Sequence, residues 1–315
     1  MSHAELVPAD EAAAVFCSDD VDDLEPLRPR PLGATVGVWR VRAGGSSAVL
    51  KLLRVDASPN PNWASSADPM HPRWWLREPS VLRDGVADRF EPELHPPRLL
   101  HTAERPDGAL ALWLEDLGPP ASWTVEGIAD VARRLGRAQA RIAKDGLPAD
   151  LARGFLRAYL EPRQVHLAEP IASLRTVILD QLDSAPHTLC HFDLHPANVF
   201  PSEERTVVID WAYTGAGPLG SDAGVLASDA IADEIVPAHE AERLVSAVWE
   251  AYRDGLDDDE LATAAERVYA VGTAVRYSWL PAWLAGTYGP PIAETRRASV
   301  VAAHGAFLER ALAFL

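Results

Sequence analysis

The run His191-Phe192-Asp193-Leu194-His195-Pro196-Ala197-Asn198, followed by Val207-Val208-Ile209-Asp210-Trp211, sets out a carboxylate, an amide five residues later and a second carboxylate twelve residues after that. Phosphoryl transfer asks for such groups to converge on a polyphosphate and its magnesium, because it depends on positioning and charge stabilisation more than on covalent chemistry. Magnesium takes oxygen ligands in a tight octahedral shell, so Asn198 and Asp210 supply two and leave the others to phosphates and water. Asp193 is then free to face an acceptor hydroxyl and take its proton, a contribution worth about 10²–10⁴-fold in rate. Alone, an Asp shortly before Pro-Ala-Asn reads as a turn residue. Its spacing to Asn198, and the strand-like Thr206-Val207-Val208-Ile209 that ends at Asp210, favour the chemical reading.

These residues resemble the aminoglycoside phosphotransferase and choline kinase group, small-molecule relatives of protein kinases. That group carries a His-x-Asp-x-x-x-x-Asn loop, often with Gly at the second position, and an Ile-Asp-Trp metal motif; here they are His191 to Asn198 and Ile209 to Trp211, with Phe192 in the glycine's place. The segment Gly215-Ala216-Gly217-Pro218 with Asp222 downstream resembles the group's Gly-x-Gly-Pro stretch, and Asp222 is expected to brace the loop. The resemblance implies Asp193 as the base, Asn198 and Asp210 as metal ligands, and magnesium with ATP or GTP as phosphate donor. It also implies an α+β, two-lobed, protein-kinase-like fold with a small N-terminal antiparallel-sheet lobe and a larger, mainly helical C-terminal lobe. His191 is expected to support the loop, while His195 holds the loop or approaches phosphate. A zinc site at these two histidines is disfavoured, because Pro196 interrupts a helix and no further Cys or His completes a ligand set.

An ATP-binding lobe must also supply a cation. Ala48-Val49-Leu50-Lys51-Leu52-Leu53 is an apolar strand with one Lys, which needs a partner or a ligand there. Lys51 is the candidate phosphate clamp, the competing reading being a solvent-facing edge Lys. Glu78 is the candidate tether, with Glu91 and Glu93 as alternatives, and Pro79 suits only the first turn of a helix. Leu32 to Arg42 reads as a glycine-containing turn between strands, where Thr35 could add a hydroxyl over phosphates or simply belong to a hairpin. Ala43-Gly44-Gly45-Ser46 is a plain hairpin turn. The apolar run Ala109 to Gly118 falls where the resembling group has its hinge, which makes Leu114, Glu115 and Asp116 nucleotide contacts through their main chain.

The elements behind these motifs are legible from periodicity. Ile128, Val131, Leu135, Ala138 and Ile142 recur at helical spacing after Ser122-Trp123-Thr124, with Gly146 as a stop. Similar stripes run over 238–254 and 258–275, and a last helix covers 296–315. The expected organisation is an arm or leading strand over 1–30, a nucleotide-binding lobe and hinge over 31–116, and a helical lobe with catalytic loop and acceptor site over 117–315. Pro59-Asn60-Pro61 and Pro96-Pro97 read as loops.

With 315 residues and 48% hydrophobic content, the chain can bury a full core. A net charge of −17 disfavours a nucleic-acid partner, since such proteins neutralise phosphates with clustered Lys and Arg. Acidity suits a polar or cationic small-molecule acceptor by steering, and it is equally the ordinary means of staying soluble. Asp229, Asp233, Glu234, Tyr277, Trp279 and Trp283 are acceptor-side candidates, the aromatics serving either as stacking surfaces or as core. No signal segment or bilayer-spanning run is present, which points to a cytoplasmic enzyme without a membrane partner. Cys17 and Cys190 build no crosslinked scaffold, and Cys190 reads as a small core residue. Two further readings keep part of the pattern: a kinase for Ser/Thr hydroxyls of a peptide in natural-product assembly, with a protein or peptide partner, and a non-catalytic nucleotide-binding module.

Overall fold

The computed structural model describes residues 6–18, 20–28, 32–55, 57–58, 63–167, 169–202, 204–280 and 294–315. Pro59-Asn60-Pro61 and Trp283 lie outside the described residues. The chain divides into two units, Met1–Ala87 with Pro96–Pro119, and Asp88–His95 with Pro120–Leu315.

In the first unit, helix α1 (Ala9–Phe16) precedes strands β1 (Asp23–Arg28), β2 (Thr35–Ala43) and β3 (Ser46–Leu53). Helix α2 (Arg77–Arg83) follows, then β4 (Leu99–Glu104) and β5 (Leu110–Glu115). The strands form one antiparallel sheet in the order β1-β2-β3-β5-β4. Gly44 and Gly45 close the β2–β3 hairpin with φ of 55° and 79°, the backbone that a two-residue primed turn demands. Because side chains alternate across a strand, Leu50 and Leu52 join Val41, Ala48, Ala111 and Trp113 in one cluster. Leu53 packs with Leu112 and Leu114 in another. Lys51 sits between Val38 and Leu112 in register, so it is an interior-strand Lys and not an edge one. Helix α1, for which the sequence reading had only an arm or strand, contributes the buried Glu11. That carboxylate accepts hydrogen bonds from Arg105 Nε and Nη2 and from the indole N–H of Trp113, each at 2.9 Å.

The second unit begins with α3 (Val125–Asp145), α4 (Phe155–Leu160) and α5 (Ile171–Asp183). Four short strands follow, β6 (His187–Cys190), β7 (Val199–Pro201), β8 (Thr206–Val208) and β9 (Gly215–Pro218). Helices α6 (Ser221–Ala232), α7 (Ala241–Leu256), α8 (Asp259–Arg267), α9 (Thr273–Tyr277) and α10 (Glu294–Leu312) complete it. Thr124 caps α3 by accepting the Gly127 N–H at 3.1 Å, and Ile128, Val131, Leu135, Ala138 and Ile142 are buried. Helices α3 and α7 approach closely enough that a Cβ on Gly136 would fall 2.4 Å from the Tyr252 carbonyl oxygen. The stripe expected over 258–275 is interrupted, because α8 passes through a π turn, Val268–Gly272, into α9. The extra residue of the π turn changes which side chains share a face beyond it.

Two small antiparallel ladders frame the chemical motif. β6 pairs with β9 and ends at Cys190, immediately before His191. β7 pairs with β8, beginning one residue after Asn198 and ending two before Asp210. Both ends of the loop are therefore fixed by main-chain hydrogen bonds, and the polar residues project from the intervening turns.

Candidate active site

In the first unit, Lys51 Nζ lies 2.6 Å from Glu78 Oε2, with both side chains buried. Pro79 is the third residue of α2, within the first turn, where its missing N–H has no helical partner to lose. Glu91 and Glu93, the alternative tethers, belong to the second unit, where Glu91 pairs with His95 and Glu93 with Arg137. Thr35 is buried and exchanges main-chain hydrogen bonds of 2.9 Å with Leu32, closing the turn before β2. Leu114 is buried in the core beside Leu53 and Leu112, and the Glu115 N–H donates to the Arg98 carbonyl at 3.0 Å. Asp116 accepts from Arg40 Nε at 2.7 Å and from the Gly118 N–H at 3.0 Å. Burial works to raise its pKa, but Arg40 and the Gly118 N–H outweigh that and hold it below the usual range. The acidic side chain after β5 thus serves the connector's own structure.

The second unit assembles the His191–Asn198 loop around a buried carboxylate. Asp222, at the start of α6, accepts the His191 N–H at 2.8 Å, the Phe192 N–H at 2.7 Å and the Gln139 amide at 3.0 Å. Gln139 in turn donates to the Leu189 carbonyl at 3.1 Å and accepts from the Tyr252 hydroxyl at 2.7 Å. Burial pushes the Asp222 carboxyl up to about 6, against the two main-chain N–H groups, the Arg276 charge and Gln139. In its carboxylate form it can accept all three hydrogen bonds.

His191 Nε2 lies 3.0 Å from the Ile209 carbonyl oxygen and its Nδ1 3.2 Å from the Asp193 N–H. A carbonyl only accepts and an amide N–H only donates, so His191 is the neutral tautomer protonated at Nε2. That state ties the Asp193 turn to the strand leading into Asp210. Asn198 donates from Nδ2 to the Asp193 carbonyl at 2.9 Å, which leaves its Oδ1 as the amide's remaining ligand atom. The Ile209 N–H donates to the Asn198 carbonyl at 2.9 Å, bringing Asp210 beside Asn198 along the chain of contacts. Asp210 adopts φ 64° and ψ 58°, a left-handed conformation uncommon outside Gly, Asn and Asp. His195 donates its N–H to the Asp193 carbonyl at 3.0 Å and its carbonyl accepts from the Asn198 N–H, while its buried Nδ1 has no hydrogen-bond partner among the described residues.

Phe192, at φ 63°, stacks on Phe155 with ring centroids 4.4 Å apart. A Cβ on Gly217 would fall 2.2 Å from Phe192 Cζ. The ring that replaces the customary glycine is therefore housed by a glycine on the neighbouring strand. Cys190 is a buried core residue, and burial pushes its thiol well up.

A model of the phosphotransferase enzyme family matches residues 26–266. The chain belongs to that family. No protein of curated function matches it in sequence. Among solved structures, a microcompartment-associated aminopropanol kinase superposes with a TM-score of 0.61 at 18% identity, over 98% of each chain. An amicoumacin kinase in complex with AMP-PNP, calcium and amicoumacin gives 0.57 at 14% identity, over 98% of this chain and 96% of that one. A choline kinase from Streptococcus pneumoniae gives 0.52 at 12%, over 99% and 100%. These likenesses establish the two-lobed, protein-kinase-like fold, and the family is that of phosphotransferases with an alcohol group as acceptor.

In this phosphotransferase, two buried arginines were absent from the sequence candidates, and the first of them lies beside Asp193. Arg276 on α9 is buried, with Nη2 3.8 Å from Asp193 Oδ1 and its guanidinium over the rings of Tyr159 at 5.0 Å, Phe155 at 5.4 Å and Tyr277 at 5.7 Å. Arg163, also buried, lies over Tyr159 at 4.1 Å and Trp279 at 5.2 Å. The available signal for Arg276 was its position as the one charged residue in the stretch 268–280. The π turn hid its direction from any fixed period. Asp229 accepts from the Tyr277 hydroxyl at 2.7 Å, and burial pushes its carboxyl up to about 6 against the charges of Arg276 and His195. Asp233 pairs with Arg296, and Glu234 is exposed. Among the described residues no helix is long and apolar enough to cross a membrane.

Proposed function

We propose that the chain is a magnesium-dependent small-molecule kinase that moves the γ-phosphate of ATP or GTP to a hydroxyl. The carrying observation is the fixation of Asp193: its N–H donates to His191 and its carbonyl accepts from Asn198, on a turn anchored by Asp222, while its carboxylate lies 3.8 Å from Arg276. Asp193 takes the acceptor's proton as the hydroxyl oxygen forms its bond to the γ-phosphorus. The bond from that phosphorus to the bridging oxygen breaks, and the nucleoside diphosphate leaves with the electron pair.

The donor set fits magnesium, since Asn198 keeps a ligand oxygen once Nδ2 is committed to Asp193 and Asp210 adds a carboxylate. Bound there, the ion supplies neutralisation of charge developing on the phosphates. Lys51, held by Glu78, contributes the phosphate contact, and His195 Nδ1 offers a further polar group near the loop. The main chain at Asp116 is the adenine contact of this reading, because the Glu115 N–H is already engaged and Leu114 is paired in register with Val49 and Leu99 inside the sheet. Thr35 acts through its turn.

The test is transfer from ATP or GTP with magnesium to a mixed panel of hydroxyl compounds, read by product mass, with Asp193→Asn beside the parent. Product formation reduced about 10²–10⁴-fold in the variant, with nucleotide affinity retained, is the expected result. Equal turnover by the two proteins would remove Asp193 as the base.

A further inference from the structure

The aromatic faces next to Asp193 already hold a cation. Phe155, Tyr159 and Tyr277 surround the Arg276 guanidinium at 5.0–5.7 Å, an arrangement that in a free pocket would cage an ammonium group. Arg163 lies over the same Tyr159 ring, so a second guanidinium stands close by. A cationic head brought to this place would meet these two guanidiniums, while the Asp193 and Asp229 carboxylates already act on Arg276. The carboxylates that might have received it are engaged, Asp229 by Tyr277 and Asp233 by Arg296.

Arg276 itself is incompletely satisfied. It is 7% exposed, and its Nε is buried with no hydrogen-bond partner among the described residues. The 3.8 Å from Nη2 to Asp193 Oδ1 is an ion pair too long for a hydrogen bond. A guanidinium taken from water is unfavourable until its donors are used. A cavity of about 30 Å³ bounded by Arg276, Phe155, Phe192 and Thr273 has room for water and not for an acceptor. The Asp193 side chain, by contrast, keeps 26% of its surface exposed. An acceptor that reaches the exposed Asp193 carboxylate therefore comes close to Arg276 Nη2, 3.8 Å from its Oδ1.

We propose that Arg276 binds a compact oxyanion of the acceptor, carboxylate or phosphate, next to the hydroxyl that faces Asp193, so that the substrate is a hydroxylated organic anion. A planar fork recognises such a group through paired, charge-assisted hydrogen bonds. The inference rests on the kinase reading above and deepens it by naming the acceptor class.

The experiment uses the full chain with ATP and magnesium on four sets of hydroxyl compounds: hydroxy acids including glycerate and homoserine, glycerol phosphate with sugar phosphates, amino alcohols including choline and aminopropanol, and neutral polyols. Product mass and nucleoside diphosphate release are read for the parent, Arg276→Gln and Arg276→Lys. Phosphorylation confined to one anionic set is expected, and which set responds identifies carboxylate or phosphate. Arg276→Gln should raise KM for that acceptor about 10- to 100-fold while leaving KM for ATP unchanged. Arg276→Lys, which keeps the charge without the fork, should fall between and decides the matter if the Gln variant does not fold. Turnover of amino alcohols or polyols alone, or an anionic acceptor whose KM ignores both substitutions, would overturn the proposal while leaving the kinase reading intact. If no set is phosphorylated, calorimetric titration of the two anionic sets with AMP-PNP present decides it. Binding weakened by Arg276→Gln supports the proposal, and absence of binding ends it.

Discussion

Each unit of the molecule contains a buried carboxylate beside its candidate site residues, and the two are satisfied in opposite ways. Glu78 faces a full cation, Lys51, at 2.6 Å. Asp222 faces two main-chain N–H groups and the Gln139 amide at 2.7–3.0 Å. The ion pair joins two side chains that apolar residues can replace together. The hydrogen-bonded carboxylate sets main-chain geometry, so its loss is transmitted to the turn that holds Asp193.

The largest effect should come from splitting the ion pair. Lys51→Met leaves Glu78 buried without its cation and is expected to destabilise by about 3–5 kcal/mol. The double variant Lys51→Met with Glu78→Met should regain most of that in urea unfolding while remaining inactive. A double variant as unstable as the single one would show that Glu78 is held by more than charge pairing.

Next in size is Asp222→Asn, which offers one acceptor oxygen to three donors and presents an NH₂ group to the rest. A loss of at least about 2 kcal/mol is expected from the unsatisfied N–H groups. The displaced turn should lower kcat on the order of 10²-fold, since misplacements near 1 Å carry that penalty, with KM for ATP little changed. Undiminished kcat would break the link drawn from Asp222 to Asp193.

Gly217→Ala should destabilise by about 1–3 kcal/mol, because its methyl meets a Phe192 ring already stacked against Phe155. Adding Phe192→Ala removes the obstacle, so the two substitutions should be strongly non-additive when thermal unfolding is compared around the cycle. Simple additivity would mean that the strand, rather than the ring, yields.

How much of this could be read from the sequence follows the same division between local and long-range contacts. The grouping of Asp193, Asn198 and Asp210 was legible because it is set by spacing within one short stretch. Lys51 and Glu78 were legible as a polar residue inside an apolar strand and an acid at the start of a short helix. Asp222 was expected as a brace, but its partners Gln139 and Tyr252 come from α3 and α7, and only packing brings them together. Gln139 had left a trace, as a polar residue among the apolar positions of α3. Helix α1 escaped because its docking depends on Glu11 meeting Arg105 and Trp113 across some hundred residues. Arg276 escaped for a different reason, since the π turn before α9 breaks the periodicity from which its direction would be read.

The finest test of the comparison is titration. The Asp222 carboxyl is pushed up to about 6 in the folded chain by burial, whereas an unfolded Asp titrates near 3.9. Between those values the folded state binds the proton more tightly, so unfolding free energy falls as pH rises. The contribution is fully present below about pH 4 and lost as pH passes 6. Asparagine at 222 does not titrate, and other carboxylates cancel in the difference. The stability gap between parent and Asp222→Asn should therefore narrow by on the order of 1–2 kcal/mol from pH 4.5 to pH 7, as read from urea midpoints at each pH. A gap that widens over that range would reverse the assignment, because the N–H groups would then outweigh burial and favour the anion. The Asp222 charge would in that case stabilise the loop much as Lys51 stabilises Glu78, and the contrast between the two units would be one of geometry alone.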